Sequence, residues 1–442
     1  ARPKLMITSD AGMRGGRAVP YKHLVDDALS LAKEPPAHVL LVNRHLDPDL
    51  HWVEGRDVDY AKLREQHLEA DIPVTWLESN DPSYILYTSG TTGKPKGVQR
   101  DTGGYAVALA ASMRHIYCGQ PGETMFTTSD IGWVVGHSYI VYAPLIHGMA
   151  TIVYEGLPIR PDAGIWWQIC EKYQVTTMFS SPTAIRVLKK FPTAEIRKHD
   201  LSSLEVLYLA GEPLDEPTAS WVSNTLDVPV IDNYWQTESG WPIMAIARGL
   251  DDRPTRLGSP GVPMYGYNVQ LLNEVTGEPC GVNEKGMLVV EGPLPPGCIQ
   301  TIWGDDGRFV KTYWSLFSRP VYATFDWGIR DADGYHFILG RTDDVINVAG
   351  HRLGTREIEE SISSHPGVAE VAVVGVKDAL KGQVAVAFVI PKESDSLEDR
   401  DVAHSQEKAI MALVDSQIGN FGRPAHVWFV SQLPKTRSGK ML

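Results

Sequence analysis

Cysteine, long apolar runs and positive charge are all scarce in this sequence, and each shortage removes a class of protein. The 442 residues hold four cysteines, Cys118, Cys170, Cys280 and Cys298, and no two stand closer than 18 positions. That spacing fits neither a zinc site nor a disulfide framework. A reducing cytoplasm is the expected setting. No apolar run reaches the roughly 18 residues that a membrane helix needs. The formal net charge is −13, with no compensating basic run, so neither nucleic acid nor an anionic membrane is an expected partner. Internal repeats and low-complexity tracts are absent as well. The chain begins Ala1-Arg2-Pro3 and ends Lys440-Met441-Leu442, and it reads as truncated at both ends.

What remains is a chain of ordinary composition, 43% hydrophobic and 21% charged, long enough for two or three domains. Its most informative stretch is Tyr87-Thr88-Ser89-Gly90-Thr91-Thr92-Gly93-Lys94-Pro95-Lys96-Gly97. Glycines let the backbone approach a ligand closely. Hydroxyls and main-chain N–H groups donate to phosphate oxygens, and lysines add charge. The stretch reads as a phosphate loop between a strand at residues 84–87 and a helix at residues 103–110. It is not a Walker A loop, because Pro95 stands where Ser or Thr would follow the lysine.

The pattern on both sides is a helix–strand alternation. Helices are expected at 21–34, 162–173, 182–190 and 216–226, with strands at 37–42, 177–179, 204–209 and 228–231. Strands alternating with helices imply parallel βαβ units, with ligands beyond the carboxyl ends of the strands. From about Leu257 short strands between Gly, Pro and Asp turns predict a β-rich subdomain. A small α+β region follows, with helices at 355–365 and 405–417 and strands at 371–376, 384–390 and 427–430. The fold class is therefore α/β. A large domain, residues 1–342, precedes a small mobile one, residues 343–442.

Four further blocks carry polar chemistry. Gly211-Glu212-Pro213 follows the strand ending at Leu209, and by itself could be a plain turn. In Asp232-Asn233-Tyr234-Trp235-Gln236-Thr237-Glu238, Tyr234 can stack on a base, Thr237 can donate to phosphate and Glu238 can hold Mg²⁺. The competing reading makes the aromatics core and Glu238 a solvated group. Asp326 and Arg341 are suited to ribose hydroxyls, or else form a surface ion pair. The basic loop ending in Lys440 could be a solvated tail.

Taken together and in this order, the blocks from Tyr84 to Lys440 resemble the adenylate-forming acyl-CoA synthetases. Asp130 to Tyr139 and Gly350-His351-Arg352-Leu353-Gly354-Thr355 resemble the acetyl/propionyl branch. The resemblance implies AMP-forming ligation of a short carboxylate to coenzyme A, with ATP and Mg²⁺. It implies that the phosphate loop holds the β- and γ-phosphates, and that residues 211–213 cover the adenine. Lys440 would stabilise charge during adenylation, with Glu238 as its catalytic partner and metal ligand. Asp343 would be the hinge, Arg352 would reach phosphate, and Gly350 and Val135 would border the coenzyme A and nucleotide paths. Val134, Val135, Ala210 and Trp235 would wall an acyl pocket sized for propionate rather than acetate. A lysine acetyltransferase and deacetylase acting on Lys440 are further expected partners. Two departures stand out. Phe325 occupies a place where the family more often has glycine, and Asp415 one where acetyl-specific members carry an arginine for coenzyme A. A carrier-protein adenylating domain and a nucleotide-binding module without ligase activity are the alternatives. The Gly350–Thr355 block disfavours the first and Lys440 the second.

Overall fold

The computed structural model describes residues 2–88, 95–212, 214, 216–342, 345–348, 351–378, 382–392 and 400–434. Within them, the helix–strand alternation builds a five-stranded parallel sheet. Its spatial order is Val230–Asp232, Val206–Leu209, Val175–Ser180, Thr124–Thr127 and Ala150–Ile152. Val206–Leu209 is buried at every position, as expected of a parallel strand covered on both faces. The helix Ile165–Tyr173 turns Trp166, Trp167, Ile169 and Cys170 inward. Pro182 opens the helix Pro182–Lys189, and the Ser181 hydroxyl caps it by accepting from the Ala184 N–H at 3.3 Å. These helices pack with the sheet into one core containing Trp167, Ile185, Leu207 and Val222. Burying each aliphatic side chain of this size stabilises by about 1.5–3 kcal/mol.

A separate three-stranded parallel sheet, Leu5–Ser9, His38–Val42 and Asp57–Asp59, lies at the start of the chain. The β-rich region is an antiparallel sheet in the order Asn268–Leu272, Gly286–Glu291, Val321–Arg330 and His336–Arg341. The strand Val321–Arg330, which the sequence pattern does not mark, contains Thr324, Phe325 and Asp326.

The stretch around the expected phosphate loop differs from its sequence reading in one respect. The strand Pro82–Thr88 does not run through a loop into a helix. It pairs antiparallel with a second strand, Lys96–Asp101, and only then does the helix Gly103–Ser112 begin. Lys96 is thus fixed opposite Thr88 in a β-ladder, and the same strand is held on its other side by Thr301–Ile302 at Val98 and Gln99. An interior-facing strand with Lys, Gln and Arg among its side chains carries little apolar signal, so its sequence does not mark it as a strand.

The C-terminal part forms its own sheet from His351–Gly354, Val345–Val348, Gly382–Pro391 and Val368–Asp378, with His426–Phe429 parallel on Gly382–Pro391. The helices Thr355–Ser363 and Arg400–Gln417 cover it. Ile346, Ile358, Ile362, Val389, Ile410 and Val414 make a core of its own, as a separate domain requires. No helix among the described residues is long and apolar enough to cross a membrane.

Candidate active site

Residues 232–240 leave the carboxyl end of the strand Val230–Asp232 as an extended turn. The Asn233 N–H is held by the Leu209 carbonyl at 2.9 Å, and the Gln236 N–H by the Ser239 hydroxyl at 3.0 Å. Three clusters converge on this turn.

The first centres on Glu238. Its Oε1 lies 2.9 Å from the Lys96 ammonium and accepts from the Tyr313 hydroxyl at 2.6 Å. The Lys96 ammonium donates to the same hydroxyl and sits 4.8 Å from the Tyr313 ring centre. Tyr313 in turn stacks on Tyr322, with centroids 5.2 Å apart. Burial pushes the Glu238 carboxyl up, but the charge of Lys96 and the Tyr313 hydrogen bond outweigh it and hold the group below its ordinary range. Glu238 is therefore an anion, the state a metal ligand requires. Among the described residues no cluster of His, Cys, Asp or Glu could hold a metal unaided. One ionised carboxylate beside the Lys96 ammonium fits Mg²⁺ only together with ligand oxygens, since that ion commonly binds one or two carboxylates together with substrate phosphates.

The second cluster centres on Asp326, which is buried. Its Oδ2 accepts from the Tyr234 hydroxyl at 2.5 Å and the Gln236 amide at 2.6 Å. Arg341 lies opposite Asp326 in the strand register, with Nη1 3.8 Å from Oδ1 and 3.2 Å from the Thr324 carbonyl. The residue between, Phe325, has φ +61°. That is the left-handed region, costly for a bulky side chain and free for glycine. The chain keeps the backbone geometry a glycine would give and accepts strain, with Phe325 packed onto the core.

The third cluster is apolar. Ala210, Val135 and Trp235 belong to one core, and Trp235 packs edge-on to Tyr139 at 5.4 Å and beside Phe179 at 6.4 Å. Val134 is buried at the start of a short helix, Val134–Gly136, outside that core. The indole N–H of Trp235 and both polar atoms of Asn233 are buried without a partner among the described residues.

The remaining sequence-derived positions divide. Thr88 ends its strand with a buried hydroxyl that has no partner among the described residues. Asp232 is buried and Thr237 half-buried. Gly211 has φ +102° and open space where a Cβ would stand. Glu212 faces the helix Pro182–Lys189, accepting from the Thr183 N–H at 2.7 Å and pairing with Arg186 at 3.2 Å. Arg352 falls in the strand His351–Gly354. Its side chain lies outside the described residues, as do Ser89, Gly90, Thr91, Thr92, Gly93, Lys94, Pro213, Asp343, Gly350 and Lys440. Sequence reasoning missed Tyr313, Tyr322 and Arg100. The last two carry no motif; Tyr313 ends an amphipathic helix, Asp306–Tyr313, and only its burial marks it.

A parallel α/β sheet, a β-rich region and a small C-terminal domain thus frame charged clusters gathered on one turn. The chain belongs to the AMP-binding enzyme family: that family's model matches residues 1–298, and the model of the AMP-binding enzyme C-terminal domain matches 357–440. Enzymes of this family use ATP and coenzyme A. The chain is 86% identical to the propionate–CoA ligase of Escherichia coli K12 and 79% identical to that of Salmonella typhimurium, over all of this chain and 70% of each relative. It is 43% identical to an acetyl-coenzyme A synthetase of Pyrobaculum aerophilum, over all of this chain and 65% of that one. In fold it is similar to the anthranilate CoA ligase AuaEII in complex with anthranoyl-AMP, with a TM-score of 0.78 at 21% identity, covering all of this chain and 77% of that one.

Proposed function

We propose that the protein ligates propionate to coenzyme A through an acyl-adenylate, releasing pyrophosphate and AMP. The observation that carries this reading is the convergence of Lys96, Glu238 and Tyr313 with Asp326, Tyr234 and Gln236 on one turn. It sets a phosphate-suited end and a ribose-suited end against an apolar wall. High identity to two propionate–CoA ligases supports the acid.

In the first step the propionate carboxylate attacks the α-phosphate of ATP and pyrophosphate leaves. In the second the coenzyme A thiol attacks the acyl carbon and AMP leaves. Neither step needs a protein nucleophile, so the residues position and stabilise charge. Asp326 and Arg341 would hold the ribose, Trp235 and Ala210 would bound the acyl chain, and Lys96 would exchange Glu238 for phosphate. A Mg²⁺ ion at Glu238 would neutralise phosphate charge. Residues 343–442 would rotate about Asp343, bringing Lys440 to the first step and Gly350 and Arg352 to the second. Neutralising Lys440 by acetylation would silence the first step. A cytoplasmic setting is part of the proposal, supported by four free thiols.

The test is release of AMP and pyrophosphate by the purified protein, measured with propionate, acetate and butyrate, with and without coenzyme A. Thioester formed from propionate ahead of acetate supports the reading. Adenylate that accumulates regardless of coenzyme A would replace it with transfer to another acceptor.

A further inference from the structure

Arg100 has no solvent exposure, and among the described residues no carboxylate lies within ion-pair distance of it. A cation buried without a counter-ion is costly, and a neutral side chain of similar size would fill the same space at less cost. Its partners show what the charge is used for. Nε donates to the Tyr84 hydroxyl at 2.8 Å, and Nη1 donates to the Gly297 carbonyl at 2.7 Å and the Glu238 carbonyl at 3.2 Å. The Glu238 carbonyl also accepts from the Ile299 N–H at 2.6 Å. The guanidinium lies over the Tyr84 and Tyr105 rings, 5.9 and 5.4 Å from their centres. Tyr105 bonds the Ser138 hydroxyl at 2.7 Å, and Ser138 donates to the Gly240 carbonyl at 2.7 Å. Gly240 has φ +75°, and a Cβ there would stand 2.5 Å from Arg100 Nη1. The turn therefore closes directly onto the guanidinium.

Lys96 and Arg100 are four residues apart on one strand, so both point to the same face. Lys96 takes the side chain of Glu238 and Arg100 its main-chain carbonyl. Building on the functional reading above, we infer that Arg100 is a positioning residue. It fixes the 236–240 turn against the segment carrying Val134, Val135 and Ser138, and so holds Glu238 and the acyl wall in one register. Its planar fork spans three acceptors, which a lysine ammonium cannot do.

The experiment compares the protein with R100M and R100K. Folding is checked by near-ultraviolet circular dichroism, ATP affinity by calorimetry, and acyl-adenylate formation by pyrophosphate release. Misplacing reacting groups by about 1 Å costs about 100-fold. R100M, folded, is expected to lose about 100-fold in pyrophosphate release and about tenfold in ATP affinity. R100K is expected to fall between R100M and the parent. A folded R100M with ATP affinity and rate within twofold of the parent overturns the inference. If R100M fails to fold, R100K decides: parent-like values overturn it, and a loss of tenfold or more in rate supports it. Calorimetry with ATP needs neither acid nor coenzyme A. A parent protein that binds ATP but does not activate propionate would sink the functional reading and leave the Arg100 comparison decisive.

Discussion

Lys22 and Lys96 are both held by carboxylates, in two regions built for different ends. Lys22 is sealed. Its ammonium contacts Asp57 at 2.8 Å, Asp26 at 2.9 Å and the His51 carbonyl at 3.1 Å, and neither Lys22 nor Asp57 is exposed. Arg56 completes the group with bonds to both aspartates, so two cations meet two anions. Against the cost of burial, these bonds hold the Asp26 and Asp57 carboxyls below their ordinary range. Lys96 and Glu238 are a single pair, with side chains 18% and 12% exposed, walled by Tyr313 and facing the candidate site. The Lys22 ammonium, itself without exposure, has Asp57, Asp26 and the His51 carbonyl as partners, all from the protein. Lys96 and Glu238 meet each other and the Tyr313 hydroxyl, and on the proposed reading Lys96 would exchange Glu238 for a ligand phosphate. Stability should respond to the first and turnover to the second.

The largest effect expected on this comparison is at Lys22. Removing one member of a buried ion network leaves charge without compensation, at about 3–5 kcal/mol. Lys22→Met should lower the free energy of denaturant unfolding by that amount, with turnover per folded molecule unchanged. A variant of normal stability with impaired turnover would break the comparison from the sealed side.

Next in size is Glu238→Gln, which keeps shape and removes charge. Loss of one preorganised electrostatic group costs about 10²–10³ in rate. Pyrophosphate release should fall by that factor while the melting temperature barely moves. Thioester formation from supplied propionyl-AMP should fall far less. Equal losses in both half-reactions would show that Glu238 supports the fold rather than the first step.

A second buried group, His336 at the start of the strand His336–Arg341, extends the comparison through pH. It is buried, and burial, helped by Arg330, pushes its pKa down to about 4. The unfolded imidazole titrates near ~6.5. Because the folded pKa is the lower, the unfolded chain takes up the proton first, and stability is lost as pH falls from about 6.5 towards 4. The full loss from this one group is on the order of 3 kcal/mol. Unfolding titrated between those limits should show the slope, and His336→Asn should flatten it. An unchanged slope in that variant would assign the acid sensitivity to other groups.

The smallest effect expected is at the open side's apolar wall. Ala210 is buried beside Trp235 in the same core. A methylene in such a pocket discriminates by about 1–3 kcal/mol, or about 10- to 200-fold. Ala210→Val should move the propionate-to-acetate ratio of kcat/KM towards acetate by the lower end of that range. An unchanged ratio would remove Ala210 from the acyl wall and leave the ligase reading intact.

Local sequence was enough for whatever depends on period and turn chemistry. The apolar spacing of 165–173, the unbroken run at 206–209 and the Ser181-Pro182 start are read from neighbours a few residues apart, and the structure places those elements within a few residues of expectation. Residues 232–238 and Asp326 stand out in the sequence as polar blocks, and the structure brings Tyr234, Gln236 and Asp326 together by hydrogen bonds; their nucleotide roles belong to the proposed function. The ladder Lys96–Asp101 does not stand out, since Lys96, Gln99 and Arg100 leave it little apolar pattern and its second partner, 301–302, lies far along the chain. The positive φ of Phe325 also lay beyond local rules, as the backbone there is set by a strand register and a packed core rather than by propensity. Tertiary structure alone decided that Tyr313 would meet Glu238 across 75 positions and that Arg100 would meet Gly297 across 197. Sequence spacing carries no record of such distances, and only the closed core brings a donor to an acceptor that far along the chain.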